Sequence, residues 1–346
     1  MKKIFVFSIL LCAINVVMAQ TENSLKRNKE LAKVAYNDAV KLIEANQSVN
    51  AINKFNEAIS LNRNFDLPYL EKSKLFLKDN EIEKASLIIN TAIELNSDLA
   101  EAFYIRGYIK FLNNEFKPAL EDFTRAVQKG YVESEVYYFR GVINYKLSDY
   151  SSAVIDFTMA IDKKFNNAYA YNERGGAKQK LGDYHGAIHD YELAFKYGGN
   201  LYFIYDNLGN AKIKTGDYTG AIENFTKAIE LNDKYLTAYN NRGNAYFHMA
   251  KYDKAFADFN KVIEINKDFA PGYNNLGTTK IKMKNYLGAV NDFTKAIKLD
   301  ETFGDAYLNR GFAKEFLGKF REACSDWNKA KELGVKEAEE YMSECQ

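Results

Sequence analysis

The stretch "NNRGNAYF", residues 240–247, decides the fold, because it places Gly243 inside a segment that otherwise has the pattern of an amphipathic helix. A glycine within a helix costs about 1 kcal/mol relative to alanine. The cost recurs at intervals of 34 residues, at Gly107, Gly141, Gly175, Gly209, Gly243, Gly277 and Gly311. A position that is glycine at this regular spacing indicates an internal repeat in which the missing side chain has a packing role.

Two further positions keep the same spacing over the whole chain. One is alanine in nine periods: Ala51, Ala85, Ala119, Ala153, Ala187, Ala221, Ala255, Ala289 and Ala323. Four residues later stands a large apolar residue: Phe55, Ile89, Phe123, Phe157, Tyr191, Phe225, Phe259, Phe293 and Trp327. We expect two helices per period, with the glycine of the first helix lying against the alanine of the second.

The pattern resembles the tetratricopeptide repeat family. In the period that contains the opening stretch, the matching residues are Tyr239, Gly243, Tyr246, Ala255, Phe259 and Val262. The resemblance implies an all-α, right-handed superhelical solenoid of helix-turn-helix repeats, whose concave groove binds partners. Numbered in chain order, the nine repeats span residues 32–65, 66–99, 100–133, 134–167, 168–201, 202–235, 236–269, 270–303 and 304–337.

The predicted helix ends depart from the family pattern. The usual proline near the end of each repeat is missing, and one position earlier stand Asn62, Asn96, Gly130, Gly198, Asn232, Asn266 and Gly334. Because asparagine and glycine tolerate the left-handed conformation, we expect these residues to end the second helix that way. Asp149, Asp183 and Asp217 are expected to cap the start of that helix.

A pairing of charges recurs sixteen residues apart. It predicts ion pairs between the two helices for Arg106 and Asp122, Arg140 and Asp156, Arg174 and Asp190, Arg242 and Asp258, and Arg310 and Asp326. Repeat 1 exchanges the signs, with Asp38 and Lys54, and repeat 8 breaks the pattern, with Leu276 and Asp292. The alternative is that these are independent solvated charges, since exposed pairs contribute less than about 1 kcal/mol.

The other face of the first helix is predicted to line the groove. Its amide-rich part comprises Asn172, Asp206, Asn210, Asn240, Asn244 and Asn274, and its aromatic part includes Tyr104, Tyr108 and Tyr138. Amides suit the backbone of an extended peptide and aromatic residues suit an apolar anchor. The alternative is that the polar residues only keep this face hydrated. In members of this family that bind chaperones, the position of Asn172, Asp206, Asn240 and Asn274 is typically lysine. This sequence has no lysine there, so the resemblance does not imply chaperone binding.

The N-terminal sequence predicts export. Residues 1–19 combine a basic start, an apolar stretch and a small residue, as a cleavable signal does, with a membrane anchor as the alternative. Residues 20–31 form a linker or the start of the first helix. We expect a periplasmic or cell-surface protein of a Gram-negative-type bacterium, not inserted in the membrane after cleavage.

Two cysteines, Cys324 and Cys345, remain beyond the signal, and in an oxidising compartment we expect them to form a disulfide that fixes a C-terminal capping helix at residues 338–346. Two free thiols are the alternative. His185 and His189 could share a helix face, but no third metal ligand is apparent, so we predict no metal site. No phosphate-binding glycine loop occurs, and no cofactor is predicted.

Basic and acidic residues nearly balance, at 47 and 46, so no footprint for nucleic acid is evident. The leading hypothesis is a non-enzymatic scaffold that binds a protein or peptide in the groove. The alternative is an accessory subunit of a secretion or polysaccharide export assembly that binds through its outer surfaces. An enzyme is a third hypothesis. The sequence leaves the oligomeric state open.

Overall fold

The computed structural model describes the backbone of residues 2–165, 167–342 and 345, with side chains described from Glu22 onward. All regular structure in these ranges is helical. The chain divides into an N-terminal body, Met1–Phe165, and a C-terminal body, Asn166–Gln346, and each is described by itself.

The helices follow one another in hairpins. In the N-terminal body they are α1 (Lys2–Glu44), α2 (Ser48–Leu61), α3 (Asp66–Lys78), α4 (Ile82–Leu95), α5 (Ala100–Leu112), α6 (Phe116–Gln128), α7 (Ser134–Lys146) and α8 (Tyr150–Asp162). In the C-terminal body they are α9 (Ala168–Lys180), α10 (Tyr184–Lys196), α11 (Tyr202–Lys214), α12 (Tyr218–Leu231), α13 (Leu236–His248), α14 (Tyr252–Ile265), α15 (Ala270–Lys282), α16 (Tyr286–Leu299), α17 (Gly304–Phe316), α18 (Phe320–Glu332) and α19 (Ala338–Met342).

Each odd-numbered helix from α1 to α17 packs on the even-numbered helix that follows it, and within each body one hairpin packs on the next. The even helices bury a small, a large and a small residue three or four positions apart, as Ala221, Phe225 and Ala228 do on α12. This spacing places the three side chains on one helix face. The predicted all-α fold of tandem helix-turn-helix repeats is therefore confirmed.

The turn between the two helices of each repeat uses a left-handed residue, which the sequence analysis did not anticipate. These residues are Asn46, Asn80, Asn114, Ser148, Gly182, Gly216, Ala250, Lys284 and Gly318. Most of them are glycine or asparagine, the two types for which this conformation costs least. Asp149, Asp183 and Asp217 then cap the second helix, each accepting a hydrogen bond from a backbone N–H three residues on.

The predicted left-handed ends of the second helices are correct for glycine and wrong for asparagine. Gly130, Gly198 and Gly334 have positive φ. In contrast, Asn62, Asn96, Asn232 and Asn266 are extended, with φ between −148° and −136°. The reason is the side chain: the Oδ1 of Asn62 accepts a hydrogen bond from the backbone N–H of Asn64 at 3.2 Å. This Asx turn lets the chain leave the helix without a left-handed residue.

A short helix covers the C-terminal end of the last repeat. The Tyr341 ring on α19 lies 4.7 Å from the Phe312 ring and 5.4 Å from the Trp327 ring, centroid to centroid. A disulfide joins Cys324 on α18 to Cys345. Cys345 and α19 thus anchor the C-terminal segment to the last hairpin.

The predicted export signal, residues 1–19, lies outside the residues whose side chains are described. No helix in the described part of the chain has the length and apolar character needed to cross a bilayer.

Candidate functional site

The recurring glycine makes room for an aromatic ring. A Cβ added at Gly243 would lie 2.7 Å from Cε1 of Phe259, closer than real Cβ atoms come to a neighbour. The group nearest to Gly243 is therefore the Phe259 ring, whereas the sequence predicted that Ala255, four residues earlier, would lie against this glycine. The ring of the second helix likewise presses on the glycine of the first in other repeats, at Gly107, Gly141, Gly175, Gly209, Gly277 and Gly311.

The predicted ion pair between Arg242 and Asp258 is present and bidentate, with Nε and Nη2 at 2.9 and 2.7 Å from the two carboxylate oxygens. Asp258 is 5% exposed, and burial raises its pKa although the guanidinium acts in the opposite direction. Equivalent pairs join Arg106 to Asp122, Arg140 to Asp156, Arg174 to Asp190, and Arg310 to Asp326.

Two repeats differ from the predicted pairing. In repeat 1 the Lys54 Nζ bonds to Glu57 at 2.7 Å rather than to Asp38, because Glu57 is one turn away on the same helix. In repeat 8 Asp292 does have a cation, the Nζ of Lys280 at 2.6 Å. Lys280 stands one helical turn beyond Leu276 on α15, so the charge that is missing at Leu276 comes from the next turn.

The arginines also connect neighbouring repeats, a role that the sequence analysis missed. The third nitrogen, Nη1, of Arg242 donates to Oγ1 of Thr226 at 3.0 Å, and Nη1 of Arg310 donates to Oγ1 of Thr294 at 3.1 Å. Both threonines lie on the second helix of the preceding repeat. Each arginine therefore fixes the hairpin to which it belongs and the contact of that hairpin with the one before it.

Side-chain amides form a second connection between repeats, which we call the amide ladder. In it an asparagine donates from Nδ2 to an oxygen of the residue 35 positions earlier, at 2.9 to 3.1 Å. The pairs are Asn207 to Asn172, Asn241 to Asp206, Asn275 to Asn240, and Asn309 to Asn274. The acceptors are four of the predicted groove residues. Their oxygens therefore hold successive odd helices together.

Asp206 is the carboxylate in this ladder. It is 3% exposed, and it accepts hydrogen bonds from Nδ2 of Asn241 at 3.0 Å and from Nδ2 of Asn210 at 3.1 Å. The Tyr235 hydroxyl is 3.5 Å away. Burial raises the pKa of Asp206 to about 6, against the lowering effect of these three donors. Desolvation of the charged form outweighs the hydrogen bonds.

Asn210 and Asn241, which donate to Asp206, also line a depression of about 480 Å³, and we call it the amide pocket. Its polar lining consists of Gln179, Asn210, Lys214, Asn241, Asn244 and His248. Of the predicted groove residues it contains Asn210 and Asn244. Gln179, Lys214, Asn241 and His248 are not among the predicted groove residues. Asn241 could have been identified, because an asparagine recurs every 34 residues at Asn207, Asn241, Asn275 and Asn309.

The predicted aromatic residues lie in the N-terminal body. The Tyr104 ring stacks on Tyr108 at 6.4 Å and on Tyr131 at 4.7 Å, and the Tyr138 ring lies 4.6 Å from Phe165. All three predicted tyrosines are partly buried, and burial raises the pKa of Tyr104. They pack mainly on one another and on the core, so their role as an anchor for a partner stays a prediction.

His185 and His189 are both exposed on α10. A search of the part of the chain that the structure describes finds no group of three histidine, cysteine or acidic residues placed to hold a metal.

Protein-family models match the middle of the C-terminal body. One model of the TPR repeat matches residues 209–249, and two models of the tetratricopeptide repeat match residues 237–269 and 270–303. No curated protein sequence matches the chain.

Solved structures resemble the fold. The C-terminal part of a TPR repeat-containing protein from Cytophaga hutchinsonii is 20% identical over 68% of this chain and 98% of its own, with a TM-score of 0.58. A tetratricopeptide repeat protein from Parabacteroides merdae is 21% identical over 70% and 97%, with a TM-score of 0.57. YrrB, described as a TPR protein with an unusual peptide-binding site, is 23% identical over 57% and 97%, with a TM-score of 0.51.

Residues 209–303 match models of tetratricopeptide repeats, and tandem helical hairpins make up both bodies, as the sequence pattern predicted. This family and fold support a protein–protein interaction scaffold as the class of function.

Proposed function

We propose that the odd helices of the C-terminal body bind an extended polypeptide segment of a partner protein in the amide pocket. The observation that carries the proposal is the pocket itself, where amide side chains from α9, α11 and α13 line one depression. A carboxamide offers both a donor and an acceptor, which is the hydrogen-bonding capacity of a peptide group. A surface built in advance on packed helices binds such a segment with little ordering cost on its own side.

Site-specific photo-crosslinking tests this proposal. A photoreactive residue replaces His248, which lines the pocket, and in a matched variant it replaces Leu287, which is 62% exposed on the second helix of repeat 8. The proposal predicts crosslinks to a continuous partner peptide from position 248 and none from position 287. Crosslinks from 287 alone would contradict the proposal. They would support the accessory subunit that binds through its outer surfaces.

We further propose that the protein is exported and acts in the periplasm or at the cell surface. The apolar N-terminal stretch and the disulfide between Cys324 and Cys345 support this, since disulfides persist in oxidising compartments. Cell fractionation of the full chain, and of a chain lacking residues 2–19, tests it. Equal cytoplasmic retention of both chains would contradict export.

A further inference from the structure

The amide pocket has a defined hydrogen-bonding polarity, which Asp206 sets. The amide nitrogens of Asn210 and Asn241 both donate to the Asp206 carboxylate. In this orientation the oxygens of both amides can accept hydrogen bonds from a ligand, and each nitrogen keeps one further hydrogen. On α9 the opposite holds, because Oε1 of Gln179 accepts from the Tyr191 hydroxyl at 3.0 Å and leaves the nitrogen of Gln179 as a donor.

The charges near the pocket are also separated, with a carboxylate at one position of α11 and an ammonium group further along the same helix. Asp206 lies beneath Asn210 and Asn241 and makes no ion pair among the described residues. Lys214 lies eight residues beyond Asp206 on α11, which is about 12 Å along the helix axis at about 1.5 Å per residue. Lys214 is exposed and also makes no ion pair in the described part of the chain. His248 also lines the pocket, and its ring stacks on Tyr218 at 5.6 Å.

We propose that the amide pocket selects a polypeptide segment with a basic side chain near Asp206 and an acidic side chain near Lys214, three or four residues apart. This inference rests on the proposed function, because it specifies the segment that the pocket binds. The spacing follows from the length of an extended chain, which advances about 3.3 Å per residue and so covers about 12 Å in three or four residues. The donors of the basic group meet the oxygens of Asn210 and Asn241, and the buried carboxylate supplies the counter-charge.

Residue type within the array supports a specific role for Asp206. The same ladder position is asparagine at Asn172, Asn240 and Asn274, and each accepts the same hydrogen bond from the next repeat. Asparagine therefore suffices to connect the repeats. The connection does not require the negative charge, which at this one step of the ladder changes which ligand the neighbouring pocket favours.

Selection of a phage-displayed library of random nonapeptides on the full chain tests the inference. We expect the captured peptides to be enriched in a basic and an acidic residue at the stated spacing. The Asp206→Asn variant should lose the basic preference and keep the acidic one, and Lys214→Gln should do the reverse. In matched synthetic peptides, replacing one charged residue by glutamine should weaken binding to the wild type about fivefold, as for a single ion pair near a surface. It should not affect binding to the corresponding variant.

The possible failures are distinct. Peptides that bind without a charge preference, but lose binding on Asn244→Ala, would overturn this inference and leave the proposed function intact. Capture of no peptides, or of peptides indifferent to Asn244→Ala, would overturn the proposed function as well. If Asp206→Asn did not fold, Lys214→Gln would still decide the outcome, because Lys214 is exposed.

Discussion

The substitution Asp206→Asn should stabilise the C-terminal body at neutral pH and have little effect in acid. The carboxylate is 3% exposed, and its three polar neighbours, Asn210, Asn241 and Tyr235, do not bring its pKa back to the ordinary value. An asparagine keeps the oxygen that accepts from Asn241, as Asn240 does for Asn275 at 3.0 Å. The substitution therefore removes the buried charge without removing the ladder bond.

The magnitude and sign follow from the pKa. A pKa of about 6 in the folded protein, against 3.8 for an ordinary aspartate, corresponds to about 3 kcal/mol at about 1.4 kcal/mol per pKa unit. Between these two values the folded protein binds the proton more tightly than the unfolded chain. The stability contributed by this group is therefore complete below about pH 4 and is lost as the pH rises through about 6. Asp206→Asn should remove this loss, with a gain of up to about 3 kcal/mol above pH 7.

Hydrogen exchange of the backbone amides of α11 and α13, followed by mass spectrometry from pH 4.5 to 7.5, measures this effect. A local probe is needed, because a repeat array does not have to unfold in one step. The protection free energy of the variant minus that of the wild type should rise with pH. The matched control is Asn240→Asp, which places a carboxylate at the same position one repeat later and should create a loss of protection at neutral pH. A difference that does not change with pH, or that falls as pH rises, would refute the assignment of the raised pKa to Asp206.

Three further predictions concern the packing between helices. Arg242→Leu should cost about 3 kcal/mol in chemical unfolding, because it leaves Asp258 buried without a cation. Adding Asp258→Asn should recover most of that cost, since repeat 6 has Leu208 and Asn224 at the equivalent positions. A double variant as unstable as Arg242→Leu would contradict the cost of an unpaired buried charge. Gly243→Ala should lower stability by about 1 to 3 kcal/mol despite the better helix propensity of alanine, and Phe259→Leu in the same chain should partly reverse the loss. The exported, unreduced protein should show no reactive thiol, and Cys345→Ser should destabilise the C-terminal hairpin by about 3 kcal/mol in a thermal melt; reactive thiols in the wild type would contradict this.

The hairpins could be predicted from the sequence because both partners of each contact recur with one period. Gly243 and Phe259 lie in the same repeat, and the pairing of Arg242 with Asp258 could be read in the same way. The contacts between repeats were harder to predict. The bond from Asn241 to Asp206 joins residues 35 positions apart, so neither residue has its partner in its own hairpin. A periodic pattern shows that Asn241 recurs, but it does not show which neighbour it meets.

The prediction for the asparagine helix ends was wrong for a different physical reason. Glycine and asparagine both tolerate positive φ, so tolerance alone predicts the same ending for both. Only asparagine carries a side chain that can satisfy the backbone N–H two residues on, as Asn62 does for Asn64. Because this side-chain hydrogen bond is available, helices that end at asparagine, such as the one ending before Asn62, leave in an extended conformation. Helices that end at glycine, such as the one before Gly130, end with a left-handed residue. Residue preference alone does not distinguish two conformations that the same residue can adopt.

The amide ladder also determines where binding specificity can reside. Because the oxygens of Asn172, Asn240 and Asn274 accept hydrogen bonds from the following repeat, these side chains are partly committed to holding the odd helices in register. A substitution there would alter stacking and binding together, so a loss of binding would not identify a contact with the partner. Residues that line the amide pocket and take no part in the ladder, such as Asn244 and Lys214, can vary without that consequence. A scaffold of this kind can therefore keep one uniform set of bonds between its repeats and acquire a new partner by changing the residues between them.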